Sequence, residues 1–166
     1  MENHTDEYFM SLALEEARIA EELDEAPIGC VAVKDGQVIA RAHNMRENNK
    51  CATHHAEILA IEKACDVLGG WRLPGVTLYV TMEPCCMCAG AIVNARIERV
   101  VYGAPDLRFG AMGSLFDVTK FPLNHIPECI GGVMTEYECR KEFKNYRIDR
   151  NEGESAIYLR NNTNNK

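Results

Sequence analysis

The chain opens on a helical pattern. Phe9, Leu12, Ala13, Ala17, Ala20 and Leu23 recur every three to four positions across 6–24, with Glu, Asp and Arg between them. That spacing predicts an amphipathic helix, and Thr5 or Asp6 stands where a cap is needed. After Pro27 the period shortens. Segments 28–34 and 37–42 flank Asp35-Gly36, and Asp-Gly accepts the positive φ of a tight hairpin turn. A polar loop over 44–53 follows. Ile58, Ile61, Ala64, Cys65 and Leu68 then form the apolar stripe of a second helix over 55–68, which Gly69-Gly70 ends.

The run VTLYVTM at 76–82 is β-branched and aromatic without alternation, the mark of a strand covered on both faces. Pro84 suits the first turn of a third helix reaching about residue 95. The pattern further predicts a strand at 99–103, a loop rich in Gly, Ala and Pro at 104–113, a short helix at 114–120 and a glycine-rich strand within 126–133. Thr135-x-x-Glu138 is a capping-box pattern opening a last helix to about residue 148. Beyond Asp149 the chain is Asn-rich and aperiodic, and 161–166 is expected to be disordered. A hairpin followed by alternating helices and strands predicts a three-layer α/β/α domain. It is expected to fill 1–150 and to leave 151–166 as a polar tail.

Composition narrows the class. At 166 residues, with 26% charged and 46% hydrophobic positions, the chain fits one soluble globular domain with a substantial core. No apolar run approaches the ~20 residues a membrane helix needs. The start, MENHTDEYFM, is acidic and polar, unlike a signal peptide. A net charge of −7 argues against holding nucleic acid by bulk electrostatics, although not against a local basic patch. Of the eight cysteines, at 30, 51, 65, 85, 86, 88, 129 and 139, only the 85–88 cluster has metal spacing. The scattered ones read as small buried side chains. A disulfide framework is not expected, and a reducing, cytoplasmic setting is.

The chemistry concentrates between His54 and Cys88. His55-Ala-Glu57 precedes Pro84-Cys-Cys-Met-Cys88 by about thirty residues. A catalytic zinc takes three protein ligands from Cys sulfur and His nitrogen and keeps one position open. His55, Cys85 and Cys88 supply that set, and Glu57 is a carboxylate left to move protons. Cys85 and Cys88 are three apart and share a helix face. A helix N-terminus there favours thiolate over thiol. His55 and Glu57 can serve one site only if they straddle the start of the second helix. The competing arrangement is a closed structural site with Cys86 as fourth donor. Against it, Cys86 lies about 100° around the helix from Cys85, and it reads as a packed small side chain. His43 and His54 are not read as ligands; each lines the mouth of the site or faces water.

The order His-x-Glu…Pro-Cys-x-x-Cys is that of zinc-dependent base deaminases. Pro27-Ile-Gly29, Asn44, the stretch from Leu78 to Ala91, Arg99-Val-Val-Tyr-Gly-Ala104, the Ala-x-Asp106 loop and Gly113-Ser-Leu-Phe-Asp117 narrow it further. From about Asp6 to Arg150 the sequence resembles the bacterial tRNA-specific adenosine deaminases of the cytidine-deaminase-like superfamily. The resemblance implies a central mixed five-stranded sheet between helices and one Zn2+ per subunit. It implies hydrolysis of adenosine to inosine at the wobble position of tRNA anticodons, by a homodimer that holds the anticodon arm. By the same resemblance Asn44 hydrogen-bonds the base, Ile28 and Pro84 wall the pocket, and Asp106 lies near the ribose and backbone of the flipped nucleotide. His54, Ala52 and Pro105 depart from the family pattern, which has a small residue, a proline and, in some relatives, a basic residue there. These changes touch the pocket rim and not the zinc chemistry.

In the last predicted helix Arg140, Lys144 and Arg147 share a face, with Arg150 near and Tyr146 interleaved. Such a stripe suits phosphate contact and base stacking, and equally a solvated face over a core-facing Phe143. Two other functions use the same ligands: deamination of a free base or nucleoside (cytosine, guanine or cytidine) in salvage, and a non-catalytic zinc module. The Asp106 loop and the basic last helix are features a small-molecule deaminase does not need.

Overall fold

The computed structural model describes residues 4–134. The element order is α1 (Asp6–Glu22), β1 (Gly29–Lys34), β2 (Gln37–His43), α2 (Ala56–Leu68), β3 (Val76–Met82), α3 (Cys86–Asn94), β4 (Arg99–Ala104), a 3-10 turn (Val118–Lys120) and β5 (Glu128–Ile130). The last predicted helix, with Arg140, Lys144, Tyr146, Arg147 and Arg150, lies outside the described residues, as does the tail at 151–166.

The strands form a mixed five-stranded sheet in the order β2-β1-β3-β4-β5. β1 is antiparallel to β2 and β3, whereas β3, β4 and β5 run parallel. Alternation along the strands sorts the core into two layers. Val31, Val33, Tyr79 and Val101 point to one face, where Phe9, Met10, Ala13 and Leu14 of α1 cover them. Cys30, Ala32, Leu78, Val80, Val100 and Tyr102 point to the other, beneath Ala60, Ile61 and Ala64 of α2 and Ala89 and Ile92 of α3. This is the three-layer α/β/α domain the pattern predicts. Small residues on the helices let them sit close to the sheet. Gly29 carries this furthest, since a Cβ there would overlap the Ala13 carbonyl of α1.

The first helix boundaries fall where the sequence places them, and the later ones differ. Thr5 caps α1, its Oγ1 accepting from the Tyr8 N–H at 3.4 Å. Gly69 ends α2 in the left-handed region, at φ 71°. Pro84 does not open α3: Cys85 is the cap residue, extended at φ −73° and ψ 175°, and the helix begins at Cys86. The short helix expected at 114–120 is only the 3-10 turn, and the last strand is three residues long. The Val118 N–H, which a helix starting at 114 would turn to the Ser114 carbonyl, donates instead to the Ala111 carbonyl at 2.9 Å.

One edge of the sheet gathers the chemistry. β1 starts where β2 and β3 end, because Gly29 pairs with His43 and Cys30 with Val80. β4 ends beside β3, with Met82 opposite Ala104. Ile28, Asn44, Glu83, Pro84 and the loop after Ala104 therefore share one rim.

Candidate active site

Two helix starts meet at that rim. His55 caps α2 in extended backbone, so its ring turns away from the helix axis. Glu57 falls inside the first turn and is 4% exposed. The pair thus straddles the helix start. Across the cleft Cys85 caps α3 and Cys88 lies inside its first turn, fully buried. His55 Nδ1 is 3.7 Å from Cys85 Sγ and 3.6 Å from Cys88 Sγ. All three donor atoms lie within 4.8 Å of one another. With Zn–S near 2.3 Å and Zn–N near 2.0 Å, tetrahedral angles put sulfur and nitrogen about 3.5 Å apart. The side chains already have the spacing of three corners of a zinc tetrahedron. One imidazole and two thiols is also the donor chemistry that zinc prefers over calcium or magnesium.

The electrostatics agree with that fit. A hydrogen bond from the Cys88 thiol, then one from His55, holds Cys85 down to about 4. The same bond to Cys85, with burial, holds Cys88 well above the ordinary thiol range. The two thiols push each other's protonation in opposite directions, and a divalent cation is the partner that takes both as thiolates. Burial pushes the Glu57 carboxyl up to about 7. Cys86 is exposed. It is neither a fourth donor nor the packed side chain expected of it, because the helix turns it onto the outer face. His54 does not join the cluster either; its Nδ1 lies 2.9 Å from Asn49 Nδ2. His43 meets Glu16 of α1 at 2.8 Å.

Asn44 is buried at the rim, its N–H bonded to the Ile28 carbonyl at 3.0 Å. Its Nδ2 donates to Glu25 Oε2 at 2.9 Å. A carboxylate only accepts here, so the amide orientation is fixed and Asn44 Oδ1 is the atom turned elsewhere. Glu25, fully buried, also accepts from the Asn48 N–H at 2.7 Å and from Asn48 Nδ2 at 2.9 Å. Ile28 is half-buried against the core, Pro84 is buried, and Asp106 is half-buried in the loop after β4. Sequence reasoning missed Glu25 and Glu83. Their nearest trace is position: Glu83 directly precedes Pro84 and so Cys85, and Glu25 stands two residues before Pro27, which leads into Ile28.

The family model of the MafB19-like deaminases matches residues 3–138. The tRNA-specific adenosine deaminase of Bacillus subtilis is 51% identical over 135 residues, which cover 81% of this chain and 83% of that one. The chain belongs to the tRNA-specific adenosine deaminase family. A solved structure from work on A-to-I editing by tRNA:A34 deaminases at the wobble position shares the deaminase fold with a TM-score of 0.78. It is 48% identical, covering 81% of this chain and 98% of that one. A guanine deaminase from Bacillus subtilis is also similar, with a TM-score of 0.60 and 32% identity over 73% of this chain and 88% of its own. The deaminase family, the sheet order and the three-donor cluster agree.

Proposed function

We infer that the protein deaminates adenosine to inosine at the wobble position of tRNA, releasing ammonia. The observation that carries this is the cluster of His55, Cys85 and Cys88 with buried Glu57 beside it, in a chain half identical to named tRNA-specific adenosine deaminases. His55 Nδ1 and the two sulfurs would hold one zinc ion. When bound, zinc supplies a Lewis acid that brings the hydrolytic water's pKa towards ~7. Glu57 moves the protons. Buried beside the donor cluster, it takes a proton from the water whose oxygen bonds to the ring carbon bearing the amino group, and gives that proton to the adjacent ring nitrogen. It then takes the second proton, from the hydroxyl now on that carbon, and gives it to the amine, so that the C–N bond breaks, ammonia leaves and the oxygen stays as the carbonyl of inosine. Asn44, oriented by Glu25, offers Oδ1 and one N–H to the base edge. Ile28 and Pro84 wall the pocket, and Asp106 meets the ribose and backbone of the extruded nucleotide.

The partner is the tRNA anticodon arm, whose unpaired loop makes extrusion of the base inexpensive. Arg140, Lys144, Tyr146, Arg147 and Arg150 are assigned to RNA contact on their sequence pattern. The protein works in the cytoplasm as a homodimer. Among the described residues no helix is long and apolar enough to cross a membrane.

Incubation with an anticodon stem-loop carrying wobble adenosine, with free adenosine, and with guanine or cytosine tests the reading. Inosine should form in the stem-loop; turnover of the free bases alone would overturn it in favour of salvage, the activity named for the guanine deaminase relative. Glu57→Ala should keep one zinc per chain and a native circular dichroism spectrum while ammonia release falls by about 10²–10⁴-fold. Unchanged activity would refute the proton-transfer role, and loss of zinc would refute the ligand assignment.

A further inference from the structure

We propose that Glu83 is a positioning residue that fixes the Asp106 loop to the zinc-ligand segment and so sets where Asp106 meets the nucleotide. The proposal rests on the RNA reading above. Glu83 is 3% exposed at the end of β3. Burying a carboxylate costs several kcal/mol unless its oxygens are satisfied, and here every donor comes from one loop. Oε1 accepts from the Met112 N–H at 3.0 Å and the Ser114 N–H at 2.9 Å. Oε2 accepts from the Asp106 N–H at 3.0 Å and from the Ser114 hydroxyl. Four donors on two oxygens close a ring around residues 106–114.

The loop's own bonds pass that constraint to the Asp106 side chain. Asp106 Oδ1 accepts from the Arg108 and Phe109 N–H groups at 3.0 and 3.2 Å. The Gly110 N–H returns to the Asp106 carbonyl at 2.8 Å. Oδ1 is thus spent on the turn, which does not use Oδ2. Gly110 sits so close that a Cβ there would overlap both the Glu83 carboxylate and the Asp106 carbonyl. The residues after Glu83 hold the same loop: the Pro84 carbonyl accepts from the Ala111 N–H at 2.9 Å, and Cys85 forms a bridge with Gly110. Three consecutive residues therefore deliver a metal ligand and grip the loop that carries Asp106. None of these contacts requires Glu83 to touch substrate.

Glu83→Gln tests this with little change in volume. However the carboxamide turns, its NH2 faces N–H donors that an oxygen met before. Two readouts are needed. In amide hydrogen exchange, the segment 105–115 should lose protection at least about tenfold while α2, α3 and zinc content stay as in the unaltered protein. In kinetics on the anticodon stem-loop, Glu83→Gln and Asp106→Ala should each lower kcat/KM by about 10–100-fold, chiefly through KM, and the double variant should be no worse than the weaker single one. Unchanged loop protection, multiplicative losses in the double variant, or loss of zinc in step with activity would each overturn the proposal. If Glu83→Gln does not fold, Ser114→Ala, which removes one of the four donors, takes its place with smaller effects of the same sign. An unaltered protein that ignores the stem-loop would overturn the RNA reading and leave the exchange experiment to judge the loop anchor by itself.

Discussion

Asn44 shows how a single side chain acquires a direction. Asparagine is symmetric in shape and ambiguous in polarity, and only its partner settles which end faces a ligand. Glu25 is that partner, and its remaining capacity is filled by Asn48. Glu25→Gln should therefore cost recognition and not metal. An amide at 25 can offer NH2 to Asn44 and let its carboxamide turn over. We expect kcat/KM on the anticodon stem-loop to fall about tenfold, or ~1.4 kcal/mol, with zinc per chain unchanged by atomic absorption; full activity in that variant would show that Asn44 needs no such brace. The three donors were readable from the sequence because metal ligation forces residue types into short spacings, Cys85-x-x-Cys88 above all. Glu25 and Glu83 were not. Apart from the Ser114 hydroxyl, their donors are backbone N–H groups and amides brought in by folding from 19 or more positions away, and such groups leave no mark on residue identity.

Helices and strands with a strong period were legible: α1, α2, the hairpin and β3 lie within two residues of their predicted ends. What failed was local competition for backbone donors. Cys85 takes the cap position that Pro84 was expected to lead into, and the Val118 N–H turns back to the Ala111 carbonyl where a helix from 114 would send it to Ser114. The seating of α1 on the sheet has a polar lock at one end as well as its apolar face. Arg99 of β4 donates to both oxygens of Asp6 at 2.8 and 2.7 Å, and Tyr79 of β3 adds a bond at 2.8 Å. The Arg99 bonds hold the Asp6 carboxyl below its ordinary 3.8, against the opposing effect of burial. A lowered folded-state value means the stabilisation is present above 3.8 and is lost as the pH falls through that lower value. Asp6→Asn should lower Tm by about 2–4 °C at pH 7, since the pair is partly solvated. The difference should shrink below pH 3.8. A gap of constant size in thermal scans across that range would place the stabilisation in helix packing and not in the ion pair.

Among the described residues, the chemistry and the exposed apolar surface stand side by side. β1, β2, β3 and β4 bring Ile28, Asn44, Pro84 and Asp106 to one rim, and the loop that begins at Asp106 goes on to expose Leu107 at 71% and Phe109 at 61%. Leu115, Phe116, Phe121, Leu123 and Ile126 follow within the next stretch, all exposed. Large apolar side chains gathered in one 20-residue segment are the composition that interfaces favour. A second copy of the chain is the occupant we assign, because a partner seated there would stand next to the Asp106 loop and could share the RNA. The net charge of −7 per chain opposes association only weakly at physiological salt, where such charges are screened within about 8 Å. The unaltered protein should sediment at twice the chain mass at micromolar concentration. Phe109→Lys with Phe121→Lys should shift it to the single-chain mass, keep zinc, and lower kcat/KM on the anticodon stem-loop by at least about tenfold if each RNA touches both subunits. A monomeric unaltered protein would sink the assignment outright. A doubly substituted protein that still dimerises would move the interface elsewhere on the surface, away from the face that carries the site.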